Sequence, residues 1–207
     1  MKQKFFQLIL VLLPLQLPGC SLWPENNATP KNFFQLEGNS CSKAQKTLST
    51  KSLLLNQIYT SPPFNTNSII FKKTELSLGS YQYSFWVAPI SSQLAEILLE
   101  EIECAGLFRN VTIRSRTILP DLILNAELLD FTHVTSKTPS EVSVALRLEL
   151  IDQAQRRIIG SKLLKERETV EGFNAQAAVR SFSRASSRIL KESVKWLGEI
   201  SKDSNDA

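Results

Sequence analysis

The chain has 207 residues and a formal net charge of +4, with 24 basic residues, 20 acidic residues and one histidine. Residues 1–19 have the composition of a cleaved signal and hold two of the basic residues, so the 188 residues from Cys20 onward carry a net charge of +2. That length suits one domain with its own hydrophobic core, and so small a charge on a secreted chain gives no reason to expect a nucleic-acid partner. The chain has no CxxC motif and no Cys/His cluster, so nothing supports a zinc site.

The N-terminus has the parts of a bacterial export signal. Lys2 and Lys4 form a short basic start, and residues 5–17 are mostly apolar. A small residue, Gly19, then stands where a signal peptidase would cut. The pattern predicts that the chain is exported from the cytoplasm.

The segment Leu17-Pro18-Gly19-Cys20 resembles a lipobox, the motif at which bacterial lipoproteins are processed. The resemblance implies that diacylglycerol alkylates the Cys20 thiol, that the signal is cut before this residue, and that the new amine is acylated. Gly19 suits an extended bond in a narrow peptidase cleft, and Leu17 suits an apolar pocket. Pro18 departs from the small or hydroxylated residues that are commoner at its position. We expect no cofactor besides the diacylglycerol and the N-acyl chain on Cys20.

Two simpler interpretations of this segment are a membrane-spanning helix and an ordinary cleaved signal. A span needs about 20 apolar residues, and this run is shorter and holds a proline near its end. An ordinary signal would leave Cys20 as an accidental thiol, which the complete signal pattern disfavours. Because each buried methylene contributes about 0.8 kcal/mol, three acyl chains would anchor the protein almost permanently.

The residue after the lipidated cysteine predicts the destination. In an envelope with two membranes, an Asp there favours retention in the inner membrane, and this chain has Ser21. We therefore expect an outer-membrane lipoprotein that faces the periplasm. Residues 20–31 are polar and include two prolines, so they are predicted to form a lipidated tether.

The N-terminal half of the domain is predicted to hold short strands and one helix. Strands are predicted at 33–36, 52–59 and 68–71, followed by a turn around Gly79-Ser80 and an aromatic-rich segment at 81–89. Residues 91–106 have the clearest helical pattern. Ser91 or Ser92 can cap this helix, and Gly106 ends it.

The C-terminal half is predicted to hold longer strands and a second helix. Strands are predicted at 111–118, at 121–128 with a continuation through 131–135 after a bulge, at 142–150 and at 157–167. Strict alternation from Val142 to Leu150 indicates one dry face and one wet face. A helix is predicted from about Asn174 to Gly198.

These elements predict a fold of the α/β (α+β) class. We expect a single two-layer domain with a mixed or mostly antiparallel sheet and two helices packed on one face. The predicted boundaries are a signal at 1–19, a tether at 20–31, a domain at 32–200 and a polar tail at 201–207.

Two cysteines, Cys41 and Cys104, remain after Cys20 is lipidated. An oxidising periplasm would allow them to pair, but one is predicted in a loop and the other on a helix, and the sequence does not give their separation. Two inert, partly buried thiols are the default, and a disulfide is the alternative.

Several short motifs carry a resemblance to a known family. They are a Pro-Pro-Phe-Asn segment at 62–65, an Ile-Ile-Phe-Lys strand at 69–72, the pattern Tyr81-x-Tyr83-x-x-Trp86-x-x-Pro89, a helix closing on Ala105-Gly106-Leu107-Phe108-x-x-Val111, Asp121-Leu122, and an Ala-rich helix ending near Trp196. Together they resemble the ABC-type transport auxiliary lipoprotein family, which includes the PqiC lipoproteins. The likeness covers roughly Phe33 to Leu197.

The resemblance implies a non-catalytic role at the outer-membrane end of a transport system. The implied partners are an MCE-type protein that bridges the periplasm and the inner-membrane permease complex that works with it. The implied cargo is phospholipid or another hydrophobic compound. A ring or other homo-oligomer is also implied as an option.

Catalytic chemistry has little support in the sequence. The chain has no G-x-S-x-G elbow, P-loop or HExxH motif. His133 is predicted on a strand, where a lone histidine is usually solvent-facing or a satisfied core residue. Asp121 is predicted to be a cap or turn anchor. We therefore expect no enzyme.

Two groups of residues are candidates for contact with a partner or a lipid headgroup. The first is aromatic, since Tyr81, Tyr83, Phe85 and Trp86 together could form a docking surface. Tyr81 and Tyr83 are left open as contact residues, whereas Trp86 is expected to fill the gap between sheet and first helix. The second is a basic row on the last helix, which recurs every three or four residues: Arg180, Arg184, Arg188, Lys191 and Lys195. A solvated face, partly neutralised by Glu192 and nearby acids, is the alternative for this row.

Two other functions stay open. One is an outer-membrane assembly or peptidoglycan-synthase-activating lipoprotein, which would share the tether and the small domain. The other, which has less support, is an envelope hydrolase that uses His133 and Asp121.

Overall fold

The computed structural model describes residues 29–38, 49–74, 76–113, 119–172 and 174–203. The predicted signal, Cys20, Ser21, Cys41 and the last four residues of the tail lie outside these ranges. The described elements, in chain order, are β1 (Asn32–Phe34), β2 (Ser52–Leu55), β3 (Tyr59–Thr60), β4 (Ser68–Thr74), β5 (Ser77–Trp86), α1 (Ile90–Ala105), β6 (Asn110–Thr112), β7 (Leu122–Val134), β8 (Glu141–Asp152), β9 (Arg157–Thr169) and α2 (Ala175–Asp203).

Strand β7 is the centre of a mixed sheet. On one side, three short strands pair with β7 in parallel, one after another along its length. Strand β2 pairs with it at Leu124, β3 at Leu128 and β4 at His133. Along the other side, β8 pairs antiparallel over its whole length, and β9 continues antiparallel beyond it. A bulge interrupts β7 between Leu128 and Asp130, as the sequence pattern predicts.

The sheet ends in β1 on one side and β9 on the other. Strand β5 pairs antiparallel with β4 and parallel with β1, so the order across the sheet is β1-β5-β4-β7-β8-β9, with β2 and β6 beside the start of β7. The fold is therefore one α+β domain with an open sheet, which confirms the predicted class.

The core lies between one face of the sheet and the two helices. The predicted alternation is confirmed, because Val142, Val144, Leu146, Leu148 and Leu150 are all buried while Arg147 between them is exposed. Fully burying a side chain of this size contributes about 1.5–3 kcal/mol, so this strand alone is a major stabilising element.

Helix α2 packs on β8 and β9 and also contacts α1. Asn174 starts it, because the Ala177 backbone N–H donates to Asn174 Oδ1 at 2.8 Å, an N-cap of the usual kind. The helix continues to Asp203, beyond the predicted end at Gly198. Among the described residues, no helix has both the length and the apolar character needed to cross a membrane.

Helix α1 ends as predicted but begins differently. Gly106 adopts a left-handed conformation with φ 61°, which a glycine reaches without steric cost. The predicted Ser91 or Ser92 cap is wrong: Pro89 stands at the cap position, and no side chain caps the helix. Instead, buried Gln93 donates to the Ala88 carbonyl at 2.9 Å and accepts from the Leu36 backbone N–H at 2.9 Å. This amide thus connects the start of the helix to the segment after β1, while the Pro89 carbonyl accepts from the backbone N–H groups of Ser92 and Gln93.

Two strand predictions also need correction. The predicted strand 52–59 is split into β2 and β3, with the exposed polar residues Asn56 and Gln57 in the break. The Asn56 backbone N–H still donates to the Leu124 carbonyl at 3.0 Å, and its side chain donates to Asn125 Oδ1 at 2.7 Å. The predicted turn around Gly79-Ser80 is wrong, since both residues lie inside β5. Gly79 stands opposite Phe71 on β4, and the missing Cβ gives the Phe71 ring its room.

Candidate functional site

The histidine of the chain lies in a relay of three hydrogen-bonded side chains. The Tyr81 hydroxyl oxygen on β5 lies 2.7 Å from His133 Nδ1, and Ser140 Oγ, just before β8, lies 3.0 Å from His133 Nε2. His133 is buried on β7. Both ring nitrogens have partners, so this residue is a satisfied core histidine, one of the two sequence-based expectations.

Strand β4 lies between Tyr81 and His133 in the sheet and brings them together. Phe71 pairs with Gly79 on β5 and with His133 on β7. The Tyr81 ring meets the Phe71 ring edge-on, with 5.5 Å between centroids, and it is parallel to the imidazole at 6.2 Å. The sequence did not reveal this relay, because Tyr81 and His133 come from strands that are distant along the chain.

Burial keeps the relay uncharged. It lowers the pKa of His133 and raises the pKa of Tyr81, because the imidazolium and the phenolate would each lose hydration. A neutral imidazole donates from one nitrogen and accepts at the other, and each hydroxyl can do either. The relay is therefore satisfied with either histidine tautomer.

A cleft of about 410 Å³ opens beside the relay. Its walls come from β5, β7, the connection between β7 and β8, and the segment after β9: Tyr81, His133, Thr135, Lys137, Thr138, Pro139, Ser140, Val170 and Gly172. Lys137 at this cleft is paired with Glu141 at 2.6 Å. The cleft can hold a small amphipathic group, with the uncharged relay on one wall.

The relay is poorly suited to nucleophilic catalysis. If Ser140 attacked a substrate, His133 would have to accept its proton and become charged. Desolvation opposes that charge, and the partner at Nδ1 is a neutral phenol, which stabilises an imidazolium less than a carboxylate does. The arrangement favours a structural role that connects β5, β7 and the start of β8.

The two tyrosines predicted as contact residues lie in different environments. Tyr81 is half-buried in the relay, whereas Tyr83 is 41% exposed. The pairing of β5 with β4 shifts register between Ser80 and Phe85, which breaks the regular alternation and allows Tyr83 to lie on the other face of β5. There it belongs to an aromatic patch that we define as Phe33, Tyr83, Phe85 and Val87, of which Phe33 is 60% and Val87 49% exposed. Sequence reasoning missed Phe33 and Val87, because the parallel pairing of β1 with β5 that places Phe33 beside Phe85 is not visible in the chain.

Trp86 is buried in the core, but its aromatic contacts are with the sheet and the second helix, whereas the sequence predicted a place between the sheet and the first helix. Its ring contacts Phe131 on β7 and Phe182 on α2 edge-on, with centroids 5.9 and 5.8 Å away, and those two phenylalanines are stacked at 4.3 Å. The three rings thus join β5 and β7 to the second helix.

The basic row on α2 is exposed, but part of it is neutralised. Arg184 Nε lies 2.6 Å from Glu168, and Arg188 bonds to both Glu166 and Glu168, at 3.0 and 2.6 Å. These bonds lower the pKa of Glu168, first through Arg188 and then through Arg184. The neutralising acids come chiefly from β9, while Glu192 pairs with Lys162. Arg180, Lys191 and Lys195 stay exposed and remain candidates for a partner contact.

Asp121 anchors the start of β7, as predicted. Its carboxylate accepts from the Ser52 backbone N–H and from the Ser52 hydroxyl, both at 2.7 Å, and these bonds lower its pKa. Arg109 lies 4.0 Å from the same carboxylate oxygen. Asp121 thus connects the beginnings of β2 and β7.

Two other site predictions have different outcomes. Cys104 on α1 is disulfide-bonded, so the default of an inert thiol is wrong for this residue. The described residues contain no second cysteine, and the pairing with Cys41 stays a prediction. Across the described ranges, no group of three His, Cys, Asp or Glu side chains is arranged to hold a metal ion.

The family is decided by sequence comparison. Residues 34–192 match the model of the family described as the ABC-type transport auxiliary lipoprotein component. The chain belongs to this family. The resemblance inferred from the motifs is thereby confirmed, and the chain is a lipoprotein component of an ABC-type transport system. The family is generally non-catalytic, and nothing in the relay is positive evidence of catalysis.

Solved structures share the fold at low sequence identity. Protein XCC0632 from Xanthomonas campestris, of family DUF330, has a TM-score of 0.76 at 15% identity and covers 85% of this chain and 99% of its own. An uncharacterized protein has 0.63 at 13%, covering 81% and 99%. Protein CT253 from Chlamydia trachomatis has 0.52 at 10%, covering 74% and 98%. No curated protein matches the chain.

Proposed function

We propose that this protein is a non-catalytic adaptor, anchored in the outer membrane, for an intermembrane lipid-transport system. In this proposal it joins the membrane to an MCE-type periplasmic protein and, through that protein, to the inner-membrane permease complex. The cargo is phospholipid or another hydrophobic compound. The observation that carries the proposal is the family match over residues 34–192, which covers nearly all of the folded domain.

The location in the proposal rests on the N-terminal residues. Cys20 follows a lipobox-like segment, and the Ser21 that succeeds it lacks the carboxylate associated with inner-membrane retention. Acyl chains on Cys20 would fix the domain at the membrane surface, because each buried methylene contributes about 0.8 kcal/mol. A tether of about a dozen residues would then leave the domain near that surface.

The adaptor role is supported by the kinds of surface that the domain offers. Exposed aromatic and basic side chains supply contact area and charge complementarity, which suit binding. The relay, by contrast, is uncharged, and its histidine is buried.

Crosslinking in cells tests the adaptor role. The full-length protein carries a photoreactive side chain at Lys191 or Lys195 on the basic row, and crosslinked partners are purified and identified by mass spectrometry. We expect an MCE-type protein and components of a permease. A photoreactive side chain at buried Phe182 is the matched control, because it cannot reach a partner.

Four outcomes would contradict parts of the proposal. Recovery of a glycan synthase or an outer-membrane assembly protein, without transport components, would favour the alternative lipoprotein function. Recovery of the same proteins from the Phe182 control would show that the contacts are non-specific. Fractionation with the inner membrane, or mass spectrometry without acyl groups on Cys20, would overturn the proposed location.

A further inference from the structure

The aromatic patch is a cluster of apolar side chains on the surface that the core and the relay do not explain. Phe33 and Phe85 stand opposite each other on β1 and β5, with ring centroids 5.9 Å apart. Tyr83 stands two residues before Phe85 on β5, and Val87 directly follows the strand, where its backbone N–H donates to the Phe34 carbonyl at 2.9 Å and keeps it beside β1. Contiguous exposed apolar side chains of this kind usually mark an interaction site.

The patch lies where the tether joins the domain. Strand β1 begins at Asn32, twelve residues after Cys20. A chain extends at most about 3.3–3.6 Å per residue, so the patch lies within roughly 40 Å of the lipidation site and can approach it much more closely. Among the described elements, β1 is the one that the tether enters first.

The chemistry of the patch fits a lipid–water interface. Tyrosine is enriched at the level of lipid headgroups, where its ring is apolar and its hydroxyl stays hydrated. Lys31 adds a cation, with its ammonium 5.5 Å from the centre of the Phe85 ring, where it can also meet an anionic headgroup. The pairing of exposed aromatics with a lysine next to the tether therefore favours a membrane surface as the occupant.

Because the tether is short, weak contacts between the patch and the membrane are sufficient to keep the patch bound. Once the acyl chains are inserted, the patch is held near the membrane at an effective concentration of about millimolar or more. The patch then needs only a modest intrinsic affinity to be occupied most of the time.

We propose that the aromatic patch docks into the lipid–water interface of the membrane that holds the anchor, so that the domain stands on its β1–β5 edge. The proposal rests on the lipid anchor at Cys20. Because β1 and β9 are at opposite edges of the sheet, docking directs β9 away from the lipid. The basic row, which is paired to β9 through Arg184 and Arg188, then faces a periplasmic partner instead of headgroups.

A fluorescent probe tests the orientation. Full-length lipoprotein with Tyr83→Cys is labelled with nitrobenzoxadiazole and reconstituted into vesicles of phosphatidylethanolamine and phosphatidylglycerol, with or without headgroup-region spin-labelled lipid. Leu163→Cys is the matched control, because it has a similar exposure of 47% but lies on β9. We expect a blue-shifted emission and severalfold stronger quenching at position 83, and water-like emission without quenching at position 163.

Two double variants test whether the apolar side chains of the patch hold it to the lipid, and neither changes a core residue. In the labelled Tyr83→Cys protein, Phe33→Asp with Val87→Asp should abolish the quenching by spin-labelled lipid. Leu163→Asp with Ile158→Asp, two comparably exposed positions on β9, should leave it unchanged. All four positions are exposed, so circular dichroism should show the same folded state throughout.

The outcomes separate this proposal from the adaptor function. Mass spectrometry first checks the acyl groups on Cys20, and their absence would overturn both. Acylated protein with equal, water-like emission at positions 83 and 163 would overturn the docking proposal alone. A blue shift at position 83 without quenching by lipid would also overturn it, since it would indicate burial against a second copy or another protein.

Discussion

Phe71 and Gly79 face each other across β4 and β5, and a Cβ at position 79 would lie 2.5 Å from Cζ of the Phe71 ring. The Tyr81 ring packs edge-on against the Phe71 ring, with 5.5 Å between centroids, so a displaced Phe71 ring would lose this contact. Gly79 therefore helps to position the relay, because it leaves room for the Phe71 ring on the strand between Tyr81 and His133.

Gly79→Ala should destabilise the fold by about 1–3 kcal/mol, because the added methyl overpacks the ring. Chemical denaturation measures the free energy of unfolding. Gly38→Ala is the control, because a Cβ there would meet only ordinary contacts at 3.5 Å and beyond, and it should change stability by less than about 0.5 kcal/mol. Adding Phe71→Leu to Gly79→Ala should recover part of the loss. Equal stabilities of the two alanine variants would contradict this account.

Gly79, predicted in a turn but found in a strand, shows what a sequence pattern can and cannot predict. A glycine followed by serine is typical of a turn, yet here the glycine is required by a ring on the neighbouring strand. Similarly, the sequence predicts one strand that includes Asn56 and Gln57, because nothing in the local sequence distinguishes a break from an exposed strand position. Both errors have the same cause: the deciding contact is made with a distant segment.

Where the local pattern and the tertiary fold agree, prediction succeeds. The alternation from Val142 to Leu150 is visible because one face of β8 is buried throughout. The left-handed Gly106 was visible because helix ends select glycine for a local reason. The relay and the aromatic patch were not predictable, since Ser140, Tyr81 and Phe33 become neighbours of His133 and Phe85 only through strand pairing.

The buried histidine should make stability depend on pH above the range where carboxylates titrate. Burial lowers the pKa of His133 in the folded protein, so the unfolded chain binds a proton first as the pH falls. Stability should thus be complete above the unfolded value of about 6.5 and decrease as the pH falls below it. No other histidine contributes to this window.

Thermal unfolding between about pH 7.5 and 5 measures this effect. His133→Asn should be less stable at neutral pH, because it disturbs the relay, but its melting temperature should depend less on pH than that of the wild type. Nuclear magnetic resonance of the ring should show a histidine that titrates below its usual pKa. A normal titration with parallel melting curves would refute the neutral relay.

The ion pairs between α2 and β9, formed by Arg184 and Arg188 with Glu166 and Glu168, should contribute modestly to the free energy of unfolding. Arg188→Gln removes bonds to Glu166 and Glu168, but these groups are partly exposed, so the expected loss is about 0.2–1 kcal/mol and should shrink at high salt. Because the pKa of Glu168 is lowered, its contribution is present above the unfolded value and is lost as the pH falls through the folded one.

Arg180→Gln is the control for Arg188→Gln. It removes a positive charge from the same row two turns earlier, where the side chain is exposed. Urea denaturation at low and high salt should show a salt-dependent loss for Arg188→Gln only. If both variants lose the same stability, the loss comes from the change in net charge and not from the ion pairs of Arg188 with Glu166 and Glu168.

Truncation of a ring should cost much more stability in the three-ring cluster of the core than in the aromatic patch on the surface. Phe182→Ala should cost about 3–5 kcal/mol, because it removes the stack on Phe131 and the edge contact of Trp86 and leaves a cavity. Phe33→Ala removes the same side chain at an exposed position and should change stability by less than about 0.5 kcal/mol. Denaturation of the two variants, with vesicle quenching at position 83 for Phe33→Ala, measures both effects. A large loss of stability for Phe33→Ala would mean that β1 depends on the patch for folding, and that its aromatic side chains are exposed for structural reasons and not for contact with lipid.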